Sequence, residues 1–274
     1  MSSRVFTAAL WCAAAVLLAF LCLPVLAVFL RVPLGDLLDQ LSSEVVRDAL
    51  AVTLKTNSIA LALILLLGTP TAYLIGTRSF RGRALVLTLV ELPLVLPPAV
   101  AGIGLLAAFA PTGLLGSQVE LLGLDIAFTQ TAVVLAVAFV AGPFYVRPAI
   151  AAFEAVDPTL LGASRTLGAG PARTFFRIAL PLAGGGLGAG AALAFARGLG
   201  EFGATIMFAG SLQGVTQTLS LAIYQEFDVK FESALAISAL LVLVSGALLL
   251  SVKLIWHSTY ASLIPFARSA SSSS

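Results

Sequence analysis

Long apolar runs alternate with short polar stretches along this chain. Six runs cover residues 6–30, about 50–75, 84–110, 129–150, about 181–209 and 233–256. A helix crosses the hydrocarbon core of a bilayer with about 20 apolar residues, so each run predicts one crossing. The expected fold is all-α and polytopic, with about six transmembrane helices. Prolines interrupt the third run, and the fifth is rich in glycine. The longest loop between runs is about 30 residues, too short for an extramembrane domain. Residues 1–268 are read as a single transmembrane domain with a cytoplasmic loop at about 151–180. The Ser-rich end, 269–274, has no apolar content and is read as a disordered tail.

Composition agrees with the pattern. Apolar residues make up 59% of the chain and charged residues 10%, against about 25% charged in an ordinary soluble domain. A soluble chain of this make-up would lack the polar groups to cover its surface. Lipid tails remove that requirement. The run at 5–30 is too long for the apolar core of a signal peptide, and no A-x-A site follows it, so it is read as an uncleaved first helix. Cys12 and Cys22 both lie in that run and are read as buried thiols, not a disulfide. One histidine and two cysteines cannot build a typical zinc site, so no metal site is expected, and no partner of nucleic-acid type.

Net charge is only +2, but its distribution sets an orientation. With a cytoplasmic N-terminus, ten of the fifteen basic residues fall inside: Arg4, Arg78, Arg81, Arg83, Arg147, Arg165, Arg173, Arg177, Lys253 and Arg268. Four fall outside: Arg31, Arg47, Lys55 and Lys230. Lys and Arg favour the cytoplasmic side. Six crossings return the C-terminus to the cytoplasm as well.

The loop between the fourth and fifth runs is the most informative segment. Asp157 can cap a helix and Pro158 can open it. Gly168 can end that helix in a left-handed conformation, and Pro171 can open a second helix leading into the membrane. A short helix therefore lies on the cytoplasmic surface, with Arg165 exposed and Leu160, Leu161 and Leu167 as candidates for its apolar side. After Gly168 come nine residues and then Ile178-Ala179-Leu180-Pro181. This resembles the loop signature of ABC importer permeases, which runs E-A-A, three residues, Gly, nine residues, I-x-L-P. Here the first three positions are Gly162-Ala163-Ser164, so only Ala163 is retained and the usual Glu is missing. The resemblance implies that this helix docks into a groove on a cytoplasmic ATPase. An ordinary amphipathic loop helix is the alternative. No G-x-x-x-x-G-K-[ST] sequence occurs, so no ATP site of the P-loop type is expected in this chain.

In the fifth run, Gly184 and Gly188, and Gly186 and Gly190, form small-xxx-small pairs. These suit close helix packing or, alternatively, a flexible gate. Arg197 and Glu201 are four residues apart and share a helix face. A charge at the bilayer centre costs roughly 2.5–3.5 kcal/mol on insertion scales. They are read either as a structural pair or as a point on an anion route, with Glu201 orienting Arg197 and balancing its charge. A bare Arg would hold a dianion too tightly, since conduction needs weak binding. Residues 200–210, Gly-Glu-Phe-Gly-Ala-Thr-Ile-Met-Phe-Ala-Gly, followed by Thr216-Gln217-Thr218-Leu219-Ser220-Leu221-Ala222-Ile223-Tyr224, resemble the molybdate permease subfamily. Ser220 stands where that subfamily has Pro. Sulfate permeases share the shorter G-E-F-G core but resemble the rest less. Phe202, Gly203 and Thr205 join Arg197 and Glu201 as pathway candidates.

In the third run, Glu91-Leu92-Pro93-Leu94-Val95-Leu96-Pro97-Pro98 also resembles that family. Prolines free backbone carbonyls and kink a helix. Pro93, Pro97 and Pro98 are read as a bend beside the pathway, or else as a structural kink. By resemblance, two copies pair around one pathway, two ATPase subunits burn ATP-Mg on the cytoplasmic side, and an extracytoplasmic protein delivers the oxyanion. This chain, a multi-pass protein of a bacterial inner membrane, would itself do no bond chemistry and bind no cofactor. A sulfate or thiosulfate permease of the same architecture is the near alternative. A gradient-driven secondary transporter would usually show inverted repeats, and an intramembrane enzyme would need a catalytic cluster. Neither is visible.

Overall fold

The computed structural model describes residues 3–32, 35, 39 and 42–263, so the tail expected at 269–274 lies outside the described residues. Every regular element among the described residues is a helix. The first is α1, Ser3–Arg31. It is apolar on all sides, packs chiefly against the last helix and leaves its whole apolar window uncovered by protein, as suits a lipid-facing helix. Cys12 and Cys22 are accordingly exposed on it. The expectation of buried thiols fails because α1 stands outside the core.

Three helices form most of that core. They are α2, Glu44–Thr77; α6, Gln130–Glu154; and α9, Leu180–Leu199. Ser43 opens α2 by accepting the Val46 N–H, and Thr129 opens α6 by accepting the Thr131 N–H. The central helix is α6, which packs on both others. Small residues set the approach. A Cβ on Gly186 would stand 2.5 Å from Ala152 Cβ, and one on Gly190 3.1 Å from the Tyr145 carbonyl. That pair packs α9 onto α6, whereas Gly184 faces open space. Tyr145 is wedged between α2 and α9, and its hydroxyl bonds Thr69 at 2.5 Å.

The third run is not one straight crossing. It is α3, Arg83–Val95, followed by α4, Pro98–Phe109, bent from each other by 114°. Leu96 is extended, as a residue before proline prefers, and Pro98 opens the new helix. The fifth run also departs from expectation. It begins in the cytoplasmic segment at Pro171 and breaks after Leu199, and a separate short helix follows it. Among the described residues, four helices are long and apolar enough to cross on their own, and the bent pair makes at most a fifth. The sixth expected crossing corresponds to α12, Phe231–Leu263, whose counted apolar stretch is Phe231–Ala247. Two further helices were not expected: α5, Gly116–Leu121, and α11, Leu219–Val229. The latter joins α2 and α12 through Val46, Ala49, Leu219 and Ile237.

Candidate functional site

The cytoplasmic loop folds into α7, Pro158–Thr166, and α8, Pro171–Thr174. Asp157 caps α7 by accepting the Thr159 N–H at 2.8 Å. That backbone bond, followed by the Thr159 side chain, holds the Asp157 carboxyl below the ordinary carboxylate range. At the other end Gly168 has φ +82°, its N–H bonds the Arg165 carbonyl at 3.0 Å, and the Ala169 N–H bonds the Ser164 carbonyl at 3.0 Å. This is the 6→1 and 5→2 pattern of a Schellman stop, and only a residue at home at positive φ completes it.

One side of α7 is pinned. Leu161 and Ser164 are buried, and the Ser164 hydroxyl bonds Thr174 on α8 at 3.0 Å. The opposite side is bare. Leu160, Ala163 and Arg165 are exposed, and Leu167 is 87% exposed. The expected apolar side of Leu160, Leu161 and Leu167 is thus split: Leu161 packs inward, while Leu160 and Leu167 point outward. Gly162, where the loop signature carries Glu, has nothing within 4 Å of a built Cβ, so that position also faces outward. A π-turn at Phe175–Ala179 links α8 to α9. Pro181 lies just beyond it and has no N–H to give to Arg177, and the Leu180 N–H reaches back five residues to Phe175. Ile178 and Leu180 are half-buried, and Pro181 is exposed. Phe175 closes this corner against Tyr73 and Phe153.

About 30 Å along α9, at 1.5 Å per residue, the helix breaks at 200–202. The short helix α10, Gly203–Ala209, follows. Arg197 and Glu201 pair across the break at 2.7 Å, with side chains 26% and 1% exposed. The other Glu201 oxygen accepts the Ala204 N–H at 2.8 Å and so satisfies the start of α10. The structure brings the two proline and glycine segments together here. A Cβ on Gly203 would stand 2.8 Å from Pro98 Cβ, and one on Gly102 would stand 2.6 Å from the Ala204 carbonyl. The α3–α4 bend and the α9–α10 break therefore meet. Phe202 stacks on Tyr224 at 5.0 Å. Thr205 is fully buried, and its hydroxyl has no hydrogen-bond partner among the described residues. Pro97 is exposed beside Pro98, and Pro93 is half-buried within α3. Glu91 pairs with Arg147 on α6.

The loop and the break are both built, but they do not touch in sequence-adjacent fashion; α9 is the rod between them. The layout is an exposed loop helix joined by one long apolar helix to a buried ion pair at that helix's far end. Residues 68–255 match the family described as binding-protein-dependent transport system inner membrane component. The chain belongs to that family. It is a multi-pass inner-membrane protein, and the all-α membrane fold expected from the sequence is borne out. Among its relatives is the Molybdenum transport system permease protein ModB of Mycobacterium tuberculosis, 42% identical over 237 residues, covering 86% of this chain and 89% of that protein. The protein of the same name in Escherichia coli is 43% identical over 178 residues, 65% of this chain and 78% of its own length. The fold resembles a crystal structure of a bacterial ABC transporter that imports the acidic polysaccharide alginate. The TM-score is 0.72 at 18% identity, covering 93% of this chain and 96% of that one.

Sequence reasoning missed the residues that hold the break in place. Asn57, buried in α2, donates its amide to the Phe195 carbonyl at 3.0 Å. A Cβ on Gly198 would fall 1.9 Å from its oxygen. Ser220 donates to the Leu199 carbonyl at 3.1 Å, and the Leu219 N–H bonds Thr53 at 2.8 Å. The signal for Asn57 was present, since it is an amide within an apolar run. Ser220 was visible only as a departure from the subfamily's proline.

Proposed function

We propose that this chain is the membrane-spanning subunit of an ATP-driven importer for molybdate or a closely similar oxyanion. The observation that carries the reading is the buried pairing of Arg197 with Glu201 at the break that ends α9, joined by α9 to an exposed loop helix. The names of relatives at about 42% identity support the substrate class.

Two copies of the chain enclose one pathway. An ATPase subunit docks on α7 of each copy, where Leu160, Ala163, Arg165 and Leu167 lie open. An extracytoplasmic protein delivers the anion at the other end. ATP-Mg is bound and hydrolysed by the ATPases alone, and this chain binds no cofactor. When the ATPases close, they pull α7. The Schellman stop at Gly168 and the Ser164–Thr174 bond transmit that pull to α8 and α9. The far end of α9 then shifts Arg197 relative to α10 and α4. Arg197 supplies the anion's countercharge. Glu201 offsets it, so that binding stays weak enough for release. Thr205 offers a hydroxyl as hydrogen-bond donor once the break opens, because it is sealed in the present conformation.

The reading is tested by reconstituting the importer with its ATPase and binding protein in proteoliposomes. ATP-dependent accumulation of molybdate, competed by tungstate, is expected. Accumulation of sulfate in preference to molybdate would move the chain to the sulfate branch of the same architecture.

A further inference from the structure

The turn between α2 and α3 carries chemistry that transport does not use. Its sequence is Arg78-Ser79-Phe80-Arg81-Gly82-Arg83. Gly82 sits at φ +88° and reverses the chain, so that the turn joins the ends of two membrane helices. Arg83 is committed. Its Nε–H bonds the Ile75 carbonyl at 3.0 Å and its guanidinium pairs with Glu154. This covers one end carbonyl of α2 and neutralises the acid beside the turn. Arg78 and Arg81 are exposed and have no ion-pair partner among the described residues. Thr77, Arg78, Ser79 and Arg83 line a hollow of about 360 Å³. Phe80 is exposed between the two open arginines, and Leu74, Leu85 and Leu89 are exposed on the helices that lead into the membrane.

A polar hollow lined by one uncommitted guanidinium, Arg78, with the exposed Arg81 three residues on in the same turn and exposed leucines on both flanking helices, fits an amphiphile whose polar end is an anion. The charge distribution puts the turn on the cytoplasmic side, where the leaflet is anionic. Guanidinium forks match phosphate oxygens in pairs, Ser79 adds a hydroxyl donor, and an aromatic ring suits the headgroup level. We infer that the α2–α3 turn holds the headgroup phosphate of an anionic phospholipid on Arg78 and Arg81, with the acyl chains along Leu74, Leu85 and Leu89. The site is independent of which oxyanion the importer carries.

The assembled importer, purified in mild detergent, tests this through the anionic phospholipid retained per chain. Arg78→Gln with Arg81→Gln should lower retention about threefold or more, because two of the phosphate's charge partners are gone. Arg78→Lys with Arg81→Lys should keep most of it, which also guards against misfolding of the first variant. Arg4→Gln, at the same side of the membrane on α1, should leave retention unchanged. In phosphatidylcholine nanodiscs, adding phosphatidylglycerol should raise the Tm of wild type but not of the Gln variant, and adding inorganic phosphate should raise neither. Unchanged retention in the Gln variant, or an equal fall in Arg4→Gln, overturns the site. So does stabilisation by inorganic phosphate alone, which would make it a soluble-anion site. Loss of the ATPase subunits with lipid retained overturns it in favour of a protein contact.

Discussion

Two helix ends of this molecule, those of α7 and α9, are finished in opposite ways. The end of α7 is closed by its own neighbours: Asp157 and Thr159 at the start, Gly168 and Ala169 bonding Arg165 and Ser164 at the stop. The end of α9 is closed from a distance. Asn57 comes from α2, Ser220 from α11, and Glu201 turns back to Arg197 while holding Ala204. A locally closed end survives as a rigid unit when its surroundings move, which suits a lever. An end held by two other elements as well as by its own following segment moves only if they move, which suits a gate read by the whole bundle. In a membrane the distinction sharpens, because no water is available to satisfy a carbonyl that a partner abandons.

The sharpest way to break the comparison is at Arg197. Arg197→Ala leaves Glu201 buried without its cation, and removing one partner of a buried pair costs about 3 kcal/mol or more. Uptake should fall about tenfold or more, and further than in Arg197→Lys, which keeps the charge. Equal, wild-type uptake in both would leave the pair a structural feature. Next is Gly198→Ala, whose Cβ would collide with Asn57 and would also stand 2.8 Å from Val137. Overpacking of this kind costs about 1–3 kcal/mol. The expected result is a lower Tm and less folded protein in the membrane, with partial recovery when Asn57→Ala is added.

At the other end, Gly168→Val forces a branched residue to positive φ at a cost of about 1–2 kcal/mol. The expected signature differs: normal membrane level, retained ATPase activity and uptake cut loose from it. Normal coupled uptake in that variant would remove α7 from the ATPase contact. The smallest effect belongs to Asp157. Its lowered carboxyl contributes fully above the ordinary carboxylate range and is lost only as pH falls through the lower folded value. Coupling should therefore be flat between neutral and mildly acid pH. Asp157→Asn should keep the cap and Asp157→Ala should weaken it, as read by ATPase stimulation.

The same contrast explains what the sequence could reveal. The loop was legible because its determinants are local: Asp-Pro opens α7, a glycine closes it, and nine residues separate that glycine from Ile178-Ala179-Leu180-Pro181. Apolar run lengths likewise marked the membrane segments, though not the 114° bend within the third or the break within the fifth. The break at 200–202 was not legible, since Arg197 and Glu201 at i and i+4 read equally well as one turn of continuous helix. Its cause is the capping of Ala204 by Glu201 and the close packing of Gly203 on Pro98, and no periodicity carries such contacts. The outward position of Leu160 and Leu167 escaped for a related reason. On a nine-residue helix, apolar residues serve a partner as readily as a core, and only the Ser164–Thr174 bond shows which side is taken.

Inward transport of molybdate by this chain is read most directly in cellular molybdenum. The gene is deleted, and molybdenum is measured at trace external molybdate with tungstate or sulfate as competitor. The expected result is a loss of cellular molybdenum in the deletion strain, restored by excess molybdate or by the wild-type gene but not by Arg197→Ala, and wild-type uptake competed by tungstate and not by sulfate. Undiminished molybdenum in the deletion strain together with impaired sulfate uptake would contradict it.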